Sequence, residues 1–349
     1  MAAGGGDIAI VGMACVFPRA ANMRQYWSNL VNGVDAVEDI PADRWRGCRN
    51  QELPEEHEAY IPCGRGGFIP SDIWFDSRRY GVLPNAVRHG DADQFLMIHV
   101  VDEALRDAGI FDEDPLRTAS DLIIGRGGYV TSKQTELTLR AEVFETVLEM
   151  IDRKYPDLLA GSRRSEVAAY LRSTLSPNEV ESVSTAISNI VASRAANRLN
   201  LRGACFTVDA ACASSLVAVE YAMSRLRGGL SDVAVAAGVF MNHSATFWHV
   251  FTRLGALSRN GIIRPFDRRA DGLVIGDGAG AIVLKRLDDA VRNGDEIYAV
   301  IKGVGSSGDG RALDVLAPSS AGQVEALKRA YADAGIDPLA LGYLELHGT

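Results

Sequence analysis

One pattern occurs twice, far apart in the chain, and it narrows the fold before any single residue is considered. The first copy is Asp102-Glu103-Ala104-Leu105-Arg106-Asp107-Ala108-Gly109-Ile110, and the second is Leu327-Lys328-Arg329-Ala330-Tyr331-Ala332-Asp333-Ala334-Gly335-Ile336. Each reads as the end of an amphipathic helix stopped by glycine. Asp114-Pro115-Leu116 and the apolar run Asp121–Gly125 follow the first; Asp337-Pro338-Leu339 and the run Tyr343–Leu346 follow the second. Upstream of the two helices lie Ile8–Gly12 and Ile297–Gly303, both with the composition of core strands. The order strand, helix, glycine stop, short loop, buried strand is therefore used twice, which predicts a duplicated α/β unit whose sheet is covered on both faces.

The spacing between these units carries further structure. Residues 131–181 form a charged, helix-prone stretch that includes Glu142–Ile151 with apolar residues at helical spacing, and they read as an insertion. Residues 42–67 are polar and rich in Pro, Gly and Glu, which predicts a long loop over the core. With 349 residues and 47% hydrophobic composition the chain can bury a large core. It contains no apolar run of roughly 18 residues and no basic segment followed by an apolar one at its start, so neither a membrane span nor secretion is expected. Five scattered cysteines without CxxC spacing predict reduced thiols and a cytoplasmic location, and six dispersed histidines give no metal set. A formal charge of −9 argues against nucleic-acid and membrane-surface partners.

The chemistry concentrates at Val208-Asp209-Ala210-Ala211-Cys212-Ala213-Ser214-Ser215-Leu216, where an apolar lead-in breaks into small residues and resumes with helical spacing. A thiol at a helix start lies beside unpaired backbone N–H groups and the positive end of the helix dipole, surroundings that favour a thiolate. The small neighbours leave room for a substrate, and the Cys212 N–H is a candidate oxyanion donor. This arrangement suits acyl transfer. The glycine-rich stretches Gly125–Gly128, Gly276–Gly280 and Gly303–Gly308 fit neither a P-loop nor a dinucleotide fingerprint, and close backbone packing accounts for them better. His243 and His249 match no catalytic motif.

The cysteine segment resembles the active-site segment of β-ketoacyl synthases, the condensing enzymes of fatty-acid and polyketide synthesis. The similarity runs from Asp7 to Thr349: Asp7–Ala14 looks like the family's opening strand, Ile263-Arg264-Pro265-Phe266-Asp267 and Asp271–Gly280 like its middle segments, and Glu345-Leu346-His347-Gly348-Thr349 like the strand end carrying its first catalytic histidine. The resemblance implies a thiolase-like αβαβα sandwich of two related halves. Residues 1–287 would be the N-terminal half with its helical insertion, and 288–349 the start of an incomplete C-terminal half. The family's second histidine, lysine and gating phenylalanine would lie beyond Thr349, so elongation by this piece alone is expected to be weak.

What the resemblance implies for function is a decarboxylative Claisen condensation. Cys212 would carry the acyl group and His347 would stabilise the enolate of a malonyl-type thioester. Phe251 would bound the acyl pocket and Thr349 would contact a phosphopantetheine arm. No cofactor is expected to bind directly; substrates would arrive on the phosphopantetheine of an acyl carrier protein, beside other synthase domains such as an acyltransferase. A homodimer is implied, with Asp232–Gly238 as a candidate contributor, and Arg163-Arg164 and Arg268-Arg269 are the candidate basic pairs for carrier docking. Ala210 and Ala213 depart from the commoner Thr and Ser, and Gly90–Phe95 departs from Asp-Pro-Gln-Gln-Arg, which leans toward a divergent multifunctional synthase of polyketide or polyunsaturated-fatty-acid type. Two alternatives stand: another condensing enzyme of the same fold, and a partner subunit that holds an acyl group without elongating it.

Overall fold

The structure, a computed structural model, describes residues 6–41, 44, 52–69, 75–241, 244–311 and 317–348. In chain order the elements are β1 (Ile8–Val16), α1 (Met23–Val31), β2 (Val37–Asp39), β3 (Arg65–Gly67), α2 (Pro84–His89), α3 (Ala92–Asp107), α4 (Pro115–Ala119) and β4 (Asp121–Gly125). The insertion follows as α5 (Ser132–Thr138), a π-helical turn at Leu139–Val143, α6 (Phe144–Lys154), α7 (Arg163–Ser173) and α8 (Val180–Val183). Then come α9 (Ile190–Leu199), β5 (Cys205–Val208), α10 (Ser214–Arg227), β6 (Ala234–Phe240), α11 (Ala245–Arg253), β7 (Gly278–Arg286), α12 (Leu287–Asn293), β8 (Ala299–Ile301) and α13 (Ser320–Ala334).

Six strands form one mixed sheet in the order β5-β4-β6-β7-β1-β8, with β4 parallel to both of its neighbours and the remaining pairs antiparallel. Side chains alternate across it as a pleated strand requires. Leu122 and Ile124 of β4 face the cluster made with α3 and α9, while Ile123 faces Ala218, Ala222 and Met223 of α10. Every residue of β4 is buried, the signature of a strand covered on both sides. β2 and β3 pair separately as a short ribbon, so the expected loop over 42–67 ends in a strand in its described part.

The duplicated unit is real down to individual atoms. A Cβ on Gly12 of β1 would lie 2.5 Å from the Ala104 carbonyl oxygen and 2.7 Å from Ala108 Cβ; one on Gly303, just after β8, would lie 2.8 Å from the Ala330 oxygen and 2.4 Å from Ala334 N. In both places the missing side chain lets the helix settle on its strand. The two helices are also clipped in the same way, Asp107 Oδ2 accepting from Met13 N at 2.9 Å and Asp333 Oδ2 from Val304 N at 2.9 Å. Gly109 (φ +73°) and Gly335 (φ +63°) end them. Asp114 and Asp337 then cap the next turns by accepting from Leu116 N and Leu339 N.

Three expectations need correction. Tyr343–Leu346, read as a buried strand, joins no ladder, and Tyr343, Leu344 and Leu346 are exposed; an extended run becomes a strand only where a neighbour offers its edge. Ile297–Gly303 yields only the three-residue edge strand β8, with Val300 exposed. Asp232–Gly238, offered as a dimer contact through its apolar residues, overlaps β6, which lies between β4 and β7 with Ala234–Ala237 buried, so those residues are spent on the core and Asp232 alone is exposed. The insertion is helical as expected, around a small core of Leu148, Leu159 and Ala168.

Candidate functional site

β5 ends at Val208, a 3-10 turn spans Ala211–Ala213, and α10 starts at Ser214. The turn is sharp because Ala211 adopts φ +50°, a left-handed conformation that costs a non-glycine residue about 1–3 kcal/mol. Polar contacts hold it there. Ala211 N donates to Asp209 Oδ1 (2.9 Å), Ala210 N to Ser214 Oγ (2.9 Å), and Ser214 Oγ donates to the Ala211 carbonyl (2.6 Å). The other Asp209 oxygen, Oδ2, accepts from Gly128 N at 2.7 Å, tying the turn to the loop after β4. A Cβ on Gly125 would come within 2.5 Å of the Ser214 and Ser215 backbone, so a bare glycine at the end of β4 lets the start of α10 rest on the sheet. Cys212 consequently stands exposed at the tip of the turn.

Beside it opens a cavity of about 1120 Å³, and Cys212, Phe251 and His347 all line it. Phe251 belongs to α11, whose Ser244 cap accepts from Thr246 N, and its ring lies tilted at 4.6 Å against Phe247, which in turn lies 5.1 Å from Phe240. Trp248, on the adjoining face of α11, is buried with Ile61, Phe68, Leu257 and Ile275, and Phe247 and Phe251 pack against this cluster while also lining the cavity, which fixes the rotation of the helix. His347 lies in the extended segment 343–347 and is exposed. Gly348 follows at φ +70°, and a Cβ there would lie 3.7 Å from Pro265 Cγ, so the histidine segment and the Ile263–Asp267 segment are brought together. Thr349 and His243 lie outside the described residues.

The residues around Pro265 are ordered by short polar contacts. Asp271 accepts from Ser258 Oγ (2.8 Å) and Asn260 Nδ2 (2.8 Å), and the Ser258 hydroxyl leads the contacts that keep its carboxyl below the usual range. Asp267 is likewise held low by hydrogen bonds from Arg269. Both candidate basic pairs carry surface ion pairs, Arg269 with Asp267 and Arg164 with Glu145 and Asp152. Among the described residues no group of His, Cys, Asp and Glu is placed to hold a metal ion, and no helix is long and apolar enough to cross a membrane.

Sequence reading misses Asp209, although an aspartate two residues before a tight turn is a recognisable turn-stabilising signal. It also misses Tyr129, which lines the same cavity with its ring 4.9 Å from Phe240, edge-on. Nothing in the sequence around Tyr129 marks it.

A family model described as the β-ketoacyl synthase N-terminal domain matches residues 6–290, and one described as the β-ketoacyl synthase C-terminal domain matches 298–349. A polyunsaturated fatty acid synthase chain of Thraustochytrium sp. is 34% identical over 344 residues, covering 98% of this chain and 12% of that protein. The oxazolomycin ketosynthase domain from Streptomyces albus superposes with a TM-score of 0.80 at 26% identity, over 98% of this chain and 55% of that one. The ketosynthase from module 6 of the bacillaene synthase of Bacillus subtilis gives 0.78 at 28% identity, over 98% and 51%. The chain thus spans about half the length of these two solved chains and a small fraction of the curated relative.

Proposed function

Since the chain belongs to the β-ketoacyl synthase family, we propose that its site performs decarboxylative Claisen condensation in polyketide or fatty-acid biosynthesis. Cys212 attacks an acyl thioester presented on the phosphopantetheine of an acyl carrier protein. The carrier thiol leaves, and the acyl group stays on sulfur, which splits one hard transfer into two easier steps. The Cys212 N–H stabilises the oxyanion of the tetrahedral intermediate, an effect worth about 2.7–4 kcal/mol per donor in other enzymes. His347 donates N–H to the carbonyl of a malonyl-type thioester and stabilises the enolate formed as carbon dioxide departs. The enolate carbon then attacks the acyl carbonyl, the Cys212 thiolate is expelled, and a β-ketoacyl thioester is released. Phe251 borders the acyl chain, and Thr349 takes the pantetheine arm.

The observation that carries this reading is the opening of Cys212 and His347 onto one cavity, with Cys212 exposed on a turn whose strain is maintained by Asp209. A division into an N-terminal half to about Leu287 and the start of a second half after it is supported by the ends of the two family models. For a homodimer, the open edges of the six-stranded sheet are β5 and β8. The alternative reading is an acyl-holding domain that loads Cys212 without elongating.

The test is intact mass and peptide mapping after incubation with a panel of acyl-pantetheine thioesters, with Cys212→Ala as control. An adduct on Cys212 that the control lacks is expected. No adduct on a folded chain would sink the condensing reading. Adding malonyl-pantetheine to the loaded chain then separates the two: a β-ketoacyl product that disappears in His347→Ala supports condensation, and a stable adduct without product supports acyl holding.

A further inference from the structure

We propose that the ring of Tyr129 gauges the acyl chain in the cavity beside Cys212, and that a buried Asp93–Arg126 pair is the device that positions this ring. The inference rests on the reading that Cys212 carries an acyl group. The loop leaving β4 sends Gly127, Gly128, Tyr129 and Val130 to the cavity wall, while Arg126 turns inward and is 2% exposed. There its Nε donates to Asp93 Oδ2 at 2.7 Å, from a residue on α3 that is 1% exposed. The Tyr129 hydroxyl donates to the same oxygen at 3.1 Å and accepts from Met241 N at 3.4 Å, and the Arg126 guanidinium lies over the Tyr129 ring at 4.8 Å. Three contacts from three directions thus fix one aromatic side chain.

The same pair is poorly served in every other respect. Arg126 Nη1 and Nη2 and Asp93 Oδ1 are buried without a hydrogen-bond partner, which native folds seldom tolerate. An apolar pair of similar volume would fill the space with less desolvation, so packing alone gives no reason for two charges there. Burial and the neighbouring Asp93 charge keep the Tyr129 hydroxyl protonated, a permanent donor. What the pair gains is orientation. Tyr129 stands edge-on to Phe240 (4.9 Å) and Phe247 (6.2 Å), completing an aromatic wall with Phe251. The adjacent residue, Gly128, is bound through Asp209 to Ala211 of the nucleophile turn, so the wall and the thiol share one frame.

The side of Tyr129 offered to a ligand is its ring, because the hydroxyl is already engaged. The chain end it meets is therefore an alkyl or alkenyl one, and its length is limited by a ring that cannot swing aside. Tyr129→Ala opens the wall. Tyr129→Phe keeps the ring and frees it from Asp93. An apolar exchange of the pair, Asp93→Leu with Arg126→Met, frees the ring without leaving a lone buried charge.

Two probes read the cavity at Cys212: saturated acyl-pantetheine thioesters from acetyl to palmitoyl, and N-alkylmaleimides from methyl to dodecyl, which need only an open thiol. The expected result is a rise of about tenfold in the long-to-short rate ratio for Tyr129→Ala, the scale that pocket contacts of this size produce. Smaller rises in the same direction are expected for Tyr129→Phe and for the double variant. A ratio unchanged in Tyr129→Ala, or a uniform loss at all lengths in every variant, overturns the proposal. If maleimides show the shift while no thioester loads the parent chain, the condensing reading fails and the gauge stands.

Discussion

The two copies of the repeated unit share their joints and differ in their surroundings. In the first, α3 buries residues on most of its circumference between the sheet and α9; in the second, α13 buries only Gly322. Yet the glycine under each helix, the aspartate that clips it to a strand, the left-handed stop and the Asp-Pro cap recur at matching places. The joints are encoded within a few tens of residues and form wherever the sequence repeats them. Burial is supplied by neighbours, and a unit keeps its joints with few of them.

The sharpest way to break the comparison is to fill the glycine in each copy. Gly12→Val drives a side chain into the Ala104 carbonyl inside the main core and is expected to prevent folding, read as loss of the cooperative thermal transition. Gly303→Val makes the same collision but should release only α13, seen as faster amide exchange there with the main transition retained. A single global collapse in both would show that the copies are energetically one.

Next in size is Asp102, which has no counterpart in the second copy because Lys328 occupies the matching place. It accepts from Arg117 (2.5 Å), Arg106 (3.1 Å) and the Tyr80 hydroxyl (2.9 Å), and also pairs with Arg79. Asp102→Ala leaves the buried Arg117 with only the longer Asp112 pairing (3.3 Å) and should cost about 3 kcal/mol in denaturant unfolding, the low end for a broken buried pair. Burial alone would raise this carboxyl, but the Arg117, Arg106 and Tyr80 contacts outweigh it and hold it below its ordinary value. Its stabilisation is therefore present above the unfolded carboxylate pKa and lost as pH falls through the lower folded one. The parent should lose stability on that acid limb, and Asp102→Asn should show a shallower loss there.

The clips come third. Asp107→Ala and Asp333→Ala each remove a carboxylate that accepts a backbone N–H, about 1 kcal/mol apiece; the first also frees the Tyr298 hydroxyl (3.2 Å) and the second Arg227, which it holds through both oxygens (2.9 and 3.1 Å). Equilibrium unfolding should register the first and exchange within α13 the second. Smallest are the caps: Asp114→Ala and Asp337→Ala, each capping a single short turn, should cost about 0.5 kcal/mol locally, the low end for such caps, with only the former visible in global stability. An equal global effect from both would mean that the second unit unfolds together with the first.

This contrast also marks how far the sequence can be read. The helix ends, the duplicated order and β4 are legible because capping residues and apolar period are local signals. Tyr343–Leu346 misleads because an apolar run does not say whether a ladder partner lies beside it. Cys212, Phe251 and His347 are legible as individual residues, and the cavity brings them together. Asp209, Asp93, Arg126 and Tyr129 are not, since each works through a partner remote in sequence: Gly128 and Asp209 are 81 residues apart, and Asp93 and Arg126 are 33. The rejected glycine-rich motifs mark close approach instead, at Gly125 under Ser214 and at Gly303 under Ala334.

The helical insertion departs from the loop that follows β4, within a residue of the cavity wall, and the chain regains the sheet only at β5. Its helices add no strand to the sheet, and its small core is its own. This stretch can therefore change in length or composition without moving the Cys212 turn or the contacts that hold it. It is an appendage hung at the rim of the cavity, and the sheet carries it without depending on it for a single strand.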